Sequence, residues 1–151
     1  MNYLPVSLNI AKKHVLVVGG GKAALEKLQM LRRFGSLVTV VAEELSDDIL
    51  QYGCFSHVRP FQPEDLDGVF IVYACSSNRE QNRLIKQEAN GRGILVNTPD
   101  DPELCDFLSP AFFSEGPMTV AVSSGGTDVR KAIAWRNRIK TFLSNEDGLI
   151  P

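Results

Sequence analysis

The sequence predicts an α/β fold of the Rossmann type: a doubly wound parallel sheet followed by a small strand-helix arm. Three observations predict it. From Val15 to Asn97, apolar runs of strand length alternate with stretches of helical period. The first run leads directly into Gly19-Gly20-Gly21 and then into a helix-like stretch. After Gly116 the alternation gives way to one strand and one helix. Alternating strands and helices with short connections build a parallel sheet with right-handed crossovers.

Val15 to Val18 is a continuous β-branched and leucine run, as expected of a strand buried on both faces. Ala23 to Phe34 follows at helical period, with Ala24, Leu28 and Leu31 on one stripe and Gly35 as the stop. Leu37 to Ala42 is the next strand, and Ser46 caps a short helix that ends at Tyr52. A weak strand, Phe55 to Arg59, precedes a turn region from Pro60 to Gly68. Val69 to Ala74 is again strongly apolar. Asn78 to Asn90 is a polar helix, and Gly93 to Asn97 a short strand. "TPDDPELCDFLSPAFFSEG" reads as a long proline-punctuated connection. A strand from Met118 to Ser123, a glycine turn and a helix from Val129 to Leu143 complete the chain. The expected division is residues 1–115 for nucleotide binding and 116–151 for the arm.

The chain has 151 residues, enough for one sizeable core. With 44% hydrophobic and 23% charged residues it falls among ordinary globular proteins. A net charge of -2 supplies no basic field for nucleic acid or an anionic membrane. No apolar stretch reaches membrane-spanning length, and "MNYLPVSLNIAKKH" lacks the apolar core of a signal peptide. Cys54, Cys75 and Cys105 are odd in number and far apart, which argues against a disulfide framework and a zinc site. The expectation is reduced thiols in a cytoplasm. His14 and His57 lie in strand-like runs with no i, i+4 partner, so no metal site is expected.

Gly19-Gly20-Gly21-Lys22-Ala23-Ala24 fits G-x-G-x-x-A after a strand and at the start of a helix. In that pattern the first glycine makes the tight turn and the second leaves the backbone bare for a pyrophosphate. The third position must be small where helix meets strand. The helix N-terminus then offers free N–H groups to the phosphates. Gly19, Gly20, Gly21, Lys22 and Ala23 are therefore expected to bind a dinucleotide. The adenosine ribose is expected about 20 residues on, at the end of the second strand. Glu43 and Glu44 stand there, as acceptors for ribose hydroxyls that would repel a 2′-phosphate and so favour NAD over NADP. The alternative is a solvated acidic pair at a helix start.

"YLPVSLNIAKKHVLVVGGGKAALEKLQML", "NTPDDPELCDFLSPAFF" and "GPMTVAVSSGGT", in this order, resemble the precorrin-2 dehydrogenase and sirohydrochlorin ferrochelatase family, the N-terminal module of siroheme synthase. The resemblance runs from Tyr3 to about Leu143. It implies NAD-dependent oxidation of a tetrapyrrole, precorrin-2, to sirohydrochlorin, with ferrous iron inserted as a second substrate in many members. It also implies a homodimer. Asn97, Asp100 and Pro102 match the family's N-x-x-D-x-P motif, which makes Asp100 the catalytic aspartate and brings Asn97 to the cofactor. Ser124, in the Ser123-Ser124-Gly125-Gly126-Thr127 turn, matches a serine that is phosphorylated in some members. The sequence departs from the family at Asp128-Val129, where Ser-Pro is usual. Its arm, ending at Pro151, is short for the family.

The residues fit the chemistry that the resemblance implies. Asp100 follows a strand end, where ligands bind in open α/β sheets, and a carboxylate suits the role of base. Asp101 beside it would raise its pKa by like-charge repulsion. The alternative is an Asp-Asp-Pro turn that caps the next helix. A substrate rich in carboxylates needs a local positive surface, and Arg130 and Lys131 adjoin the glycine turn. Ser123, Ser124 and Gly125 complete the expected substrate-binding set. The other cations of "VRKAIAWRNRIK" read better as the solvated side of an amphipathic helix whose stripe is Trp135, Ile139 and Phe142. A strand-helix arm too small for its own core needs a partner surface, and a second copy is the simplest supply. A competing reading is an NAD-sensing module without catalysis; nucleic-acid binding is disfavoured by the acidic balance.

Overall fold

The computed structural model describes residues 3–99 and 101–145. It divides into two compact units: Pro5–Phe107, and a second that begins at Leu108 and includes Leu4.

The first unit is a five-stranded parallel sheet of β1 (His14–Val18), β2 (Leu37–Ala42), β3 (Phe55–Val58), β4 (Val69–Ala74) and β5 (Leu95–Asn97), in the order β3-β2-β1-β4-β5. Three helices join them: α1 (Lys22–Leu31), α2 (Asp47–Tyr52) and α3 (Arg79–Gly91). β1 is central, so both of its faces must be apolar, and the strand period of two divides them. Val15 and Val17 pack with Ala24, Leu28 and Leu31 of α1 and Ile49 of α2. Leu16 and Val18 pack with Ile85 and Ala89 of α3 and Leu66. Each fully buried leucine or isoleucine contributes about 1.5–3 kcal/mol relative to exposure.

Helix ends follow local chemistry with small departures from expectation. The α1 stripe is the expected one, but the α-helix ends at Leu31, and Arg32–Phe34 tightens into a 3-10 turn closed by Gly35 at φ +63°. Ser46 precedes α2 without a side-chain cap; its carbonyl accepts from Ile49 and Leu50 N–H instead. Asn78 does cap α3, its side chain accepting from Glu80 and Gln81 N–H at 3.0 and 3.3 Å. Within the expected Pro60–Gly68 turn region, Pro63–Leu66 forms a 3-10 turn tied down by the two-bonded Arg59–Asp65 pair.

The second unit holds an antiparallel hairpin, β6 (Ala111–Glu115) and β7 (Met118–Val122), and a helix, α4 (Val129–Asn145), that packs on both strands. β6 falls inside the stretch that reads as a connection. Its partner in sequence is the Gly116-Pro117 turn, with Gly116 at φ +52°, a conformation that two-residue hairpins require of their first turn residue. Gly116 therefore lies within a hairpin, and the units part at Phe107/Leu108 rather than at the expected 115/116. Arg136 Nη1 donates to Phe112 O at 3.0 Å and ties α4 to β6.

Candidate functional site

At the C-terminal ends of β1, β2 and β4 the first unit opens into a cleft of about 840 Å³. Its floor is the glycine loop. Gly19 stands at φ +127°, and a Cβ there would lie 2.5 Å from Cys75 O; its N–H donates to Val41 O at 2.9 Å. The expected tight turn is thus enforced by both conformation and space. Gly21 precedes α1 in an extended conformation and has nothing within 4 Å of a built Cβ. That open side is what a pyrophosphate approach requires. No acid occupies the first turn of α1, so its free N–H groups face the loop uncompensated. Ala24 is completely buried, filling the small-residue position.

Lys22, Ala23, Glu43 and Glu44 line the same cleft, together with the three glycines. Lys22, Glu43 and Glu44 are exposed, in keeping with groups that meet a ligand from solvent. The opposite wall was not expected from sequence. It is Cys75, Ser76, Ser77, Asn78 and Gln81, at the end of β4 and the start of α3, with Pro99 nearby. The signal lay in "ACSSN", small polar residues at the end of a buried strand, where ligands of open sheets bind. Burial pushes the Cys75 thiol up to about 12, despite the opposing pull of Lys27, so it is a neutral wall rather than a nucleophile.

Asn97 is placed differently. It does not line the cleft; it is 4% exposed, and its amide donates to Phe107 O at 2.9 Å. Its Oδ1 is buried without a partner, as is Thr98 Oγ1. Beyond it the loop is knitted by Cys105, whose sulfur accepts from Thr98 N–H and donates to Thr98 O, both at 3.2 Å. Asp106 accepts from Val96 N–H at 2.9 Å and pairs with Lys86 of α3. Asp100, the expected base, lies outside the described residues. Its neighbour Asp101 bonds Arg79 Nε at 2.6 Å, and Arg79 also reaches Glu103 at 3.0 Å. The Arg79 guanidinium holds the Asp101 carboxyl below the usual carboxylate range. The Asp101 charge is thus paired with Arg79.

His14 Nε2 stands 3.0 Å from Thr39 Oγ1, a structural contact between neighbouring strands. His57 is exposed on the edge strand β3.

In the second unit, Ser123 to Thr127 is a self-bonded turn. Ser123 Oγ accepts from Gly125 N–H at 3.1 Å, and Ser124 Oγ from Asp128 N–H at 2.9 Å. Asp128 Oδ1 in turn accepts from Lys131 N–H at 2.8 Å. Asp128 is therefore the N-cap of α4, a role that its type and position announce. Arg130 and Lys131 are exposed at the first turn of the helix, and Lys131 Nζ lies 5.9 Å from the Trp135 ring centroid. Arg136, by contrast, is committed to β6.

A family model described as "Putative NAD(P)-binding" matches residues 6–111. The chain is 40% identical over 147 residues to siroheme synthase 1 of Cronobacter sakazakii and 40% identical over 147 residues to siroheme synthase of Methylobacillus flagellatus. Each match takes in 95% of this chain but only 31% and 32% of those proteins. The chain thus spans about a third of the length of these curated relatives. Among solved structures, SirC, a precorrin-2 dehydrogenase, matches with a TM-score of 0.78 and 28% identity, over 95% of this chain and 70% of that one. D-lactate dehydrogenase from Escherichia coli shares the fold alone, at 18% identity and a TM-score of 0.51, over 66% of this chain and 32% of that one.

Proposed function

The chain belongs to the NAD(P)-binding family whose model spans residues 6–111, and we propose that it is an NAD-dependent dehydrogenase that oxidises precorrin-2 to sirohydrochlorin. The observation that carries this reading is the likeness to SirC over 95% of the chain, reached together with a glycine-floored cleft of dinucleotide size. Bound NAD supplies the hydride acceptor. The open side of Gly21 and the first-turn N–H groups of α1 hold its pyrophosphate. Glu43 and Glu44 accept from the ribose hydroxyls, which makes NAD the preferred form. Asp100 takes the proton that leaves the substrate as the hydride departs, so that two electrons and two hydrogens are accounted for. Ser123, Ser124, Gly125, Arg130 and Lys131 receive the carboxylates of the tetrapyrrole. The loop around Asn97 is pre-organised for this by Cys105, Lys86 and Arg79.

Three further points belong to the same proposal. The protein acts as a homodimer, works in a cytoplasm where Cys54, Cys75 and Cys105 stay free thiols, and presents its product for insertion of ferrous iron.

The test is anaerobic turnover of precorrin-2 with NAD, read as NADH absorbance. Asp100→Asn is expected to lower the rate by about 10²–10⁴-fold, the scale of a lost general base, with NAD affinity retained. NAD binding without any NADH production would instead identify a nucleotide-sensing module. Adding ferrous iron reads the second step: a siroheme spectrum assigns chelation to this chain, and persistent sirohydrochlorin assigns it to another.

A further inference from the structure

The glycine loop contains one glycine that its motif does not demand. Gly19 and Gly21 are the fixed positions of G-x-G-x-x-A, whereas Gly20 occupies an unrestricted one. The fold nonetheless leaves no room there. A Cβ on Gly20 would lie 1.8 Å from Glu44 O, 2.8 Å from Glu44 C and 3.1 Å from Leu45 Cα. All three are backbone atoms, so no rotamer change relieves the overlap. Gly20 is not among the residues with positive φ; the requirement is for space rather than conformation. The Gly20 carbonyl also accepts from Ser46 N–H at 2.9 Å. The phosphate loop and the loop that carries Glu43 and Glu44 therefore approach closely at Glu44 and are joined by the Ser46–Gly20 hydrogen bond.

We propose that Gly20 is a specificity-determining positioning residue, which sets the height of the Glu43–Glu44 loop over the cleft and thereby the discrimination between NAD and NADP. The inference rests on the dinucleotide reading of the cleft. An acidic side chain selects a ribose diol over a 2′-phosphate only if its carboxylate stands within hydrogen-bond reach of the sugar. The backbone that carries it must then approach the phosphate loop closely, and Gly20 permits that approach. A methyl group at this position forces the acidic loop outward, since 1.8 Å must open to an ordinary contact of 3.4 Å or more. The carboxylates retreat with it. Their attraction for the diol and their repulsion of a 2′-phosphate fall together, while the pyrophosphate seat at Gly21 stays in place.

Titration calorimetry of the full chain with NAD and, separately, with NADP tests this. Wild type is expected to prefer NAD. Gly20→Ala is expected to reduce the NAD-to-NADP affinity ratio by about tenfold or more, the scale of one hydrogen bond to a charged group. Ser46→Pro removes the hydrogen bond to Gly20 while suiting the Ser46 φ of -65°, and should shift the ratio in the same direction. Gly21→Asp, which puts a carboxylate on the pyrophosphate's path, should weaken both cofactors alike. If Gly20→Ala does not fold, as judged by its thermal melt, Ser46→Pro carries the test. A wild-type protein that binds neither dinucleotide overturns the reading of the cleft itself. A wild type without NAD preference overturns the inference. So do folded variants that keep the wild-type ratio, or that lose both cofactors equally.

Discussion

Arg79 and Asp101 show what a single residue contributes at this site. The Asp101 carboxyl is held low first by its hydrogen bond to Arg79. A depressed carboxyl stabilises the fold above its unfolded pKa of about 4, and that stabilisation is lost as pH falls through the folded value. Arg79→Ala is therefore expected to lower Tm at neutral pH, and the gap to wild type should close as the pH falls below about 4. A gap of unchanged size in acid would assign the loss to packing of the arginine stem. Arg79 is half exposed, so the effect is a small one. Of the residues expected at the cofactor, Gly19, Gly20, Gly21, Lys22, Ala23, Glu43 and Glu44 line the cleft and Asn97 does not. Their roles follow from a local strand-turn-helix pattern. The Arg79–Asp101 pair was not visible, because nothing local to "SNRE" or "PDDP" indicates that the two segments meet.

At the scale of the element, α4 depends on its N-terminus. Asp128 satisfies the Lys131 N–H, and its own carbonyl accepts from Ala132 N–H at 3.1 Å. Asp128→Ala should destabilise the helix by about 0.5–2 kcal/mol, measured by chemical denaturation followed at Trp135. Asp128→Ser keeps a capping oxygen and should cost little, while raising affinity for a carboxylate-rich substrate by removing a negative charge beside Arg130 and Lys131. If Asp128→Ser destabilises as much as Asp128→Ala, the cap is not what holds the turn. The helix and β7 were readable from period and composition. β6 was obscured by the prolines around it; its pairing with β7 depends on a two-residue turn whose geometry decides what a connection-like composition does not.

For the whole molecule, the exposed apolar groups of the second unit bear on assembly. Trp135 is 53% and Phe142 59% exposed on α4, and Met118 is exposed on β7. Large apolar side chains on one small unit are what a partner surface covers. Light scattering at micromolar concentration is expected to report a dimer, and Trp135→Glu with Phe142→Glu a monomer that still binds NAD, since the cleft-lining residues all belong to the first unit. A wild-type monomer would remove the homodimer from the proposal.

The amino-acid sequence by itself determined the parallel sheet, the position of the glycine loop and the acidic residues that follow the second strand. Those features are written in short-range patterns: a period of two or of 3.6 residues states which side of an element is buried, and glycine states where the backbone must turn or stand bare. The tertiary structure alone decided that Gly20 must be glycine, that Asp101 is paired, that Asn97 turns its amide to Phe107 and that the second unit begins before β6. Each of these depends on which distant segment arrives opposite a given atom. That is settled by the packing of whole elements against one another, and no local pattern encodes it.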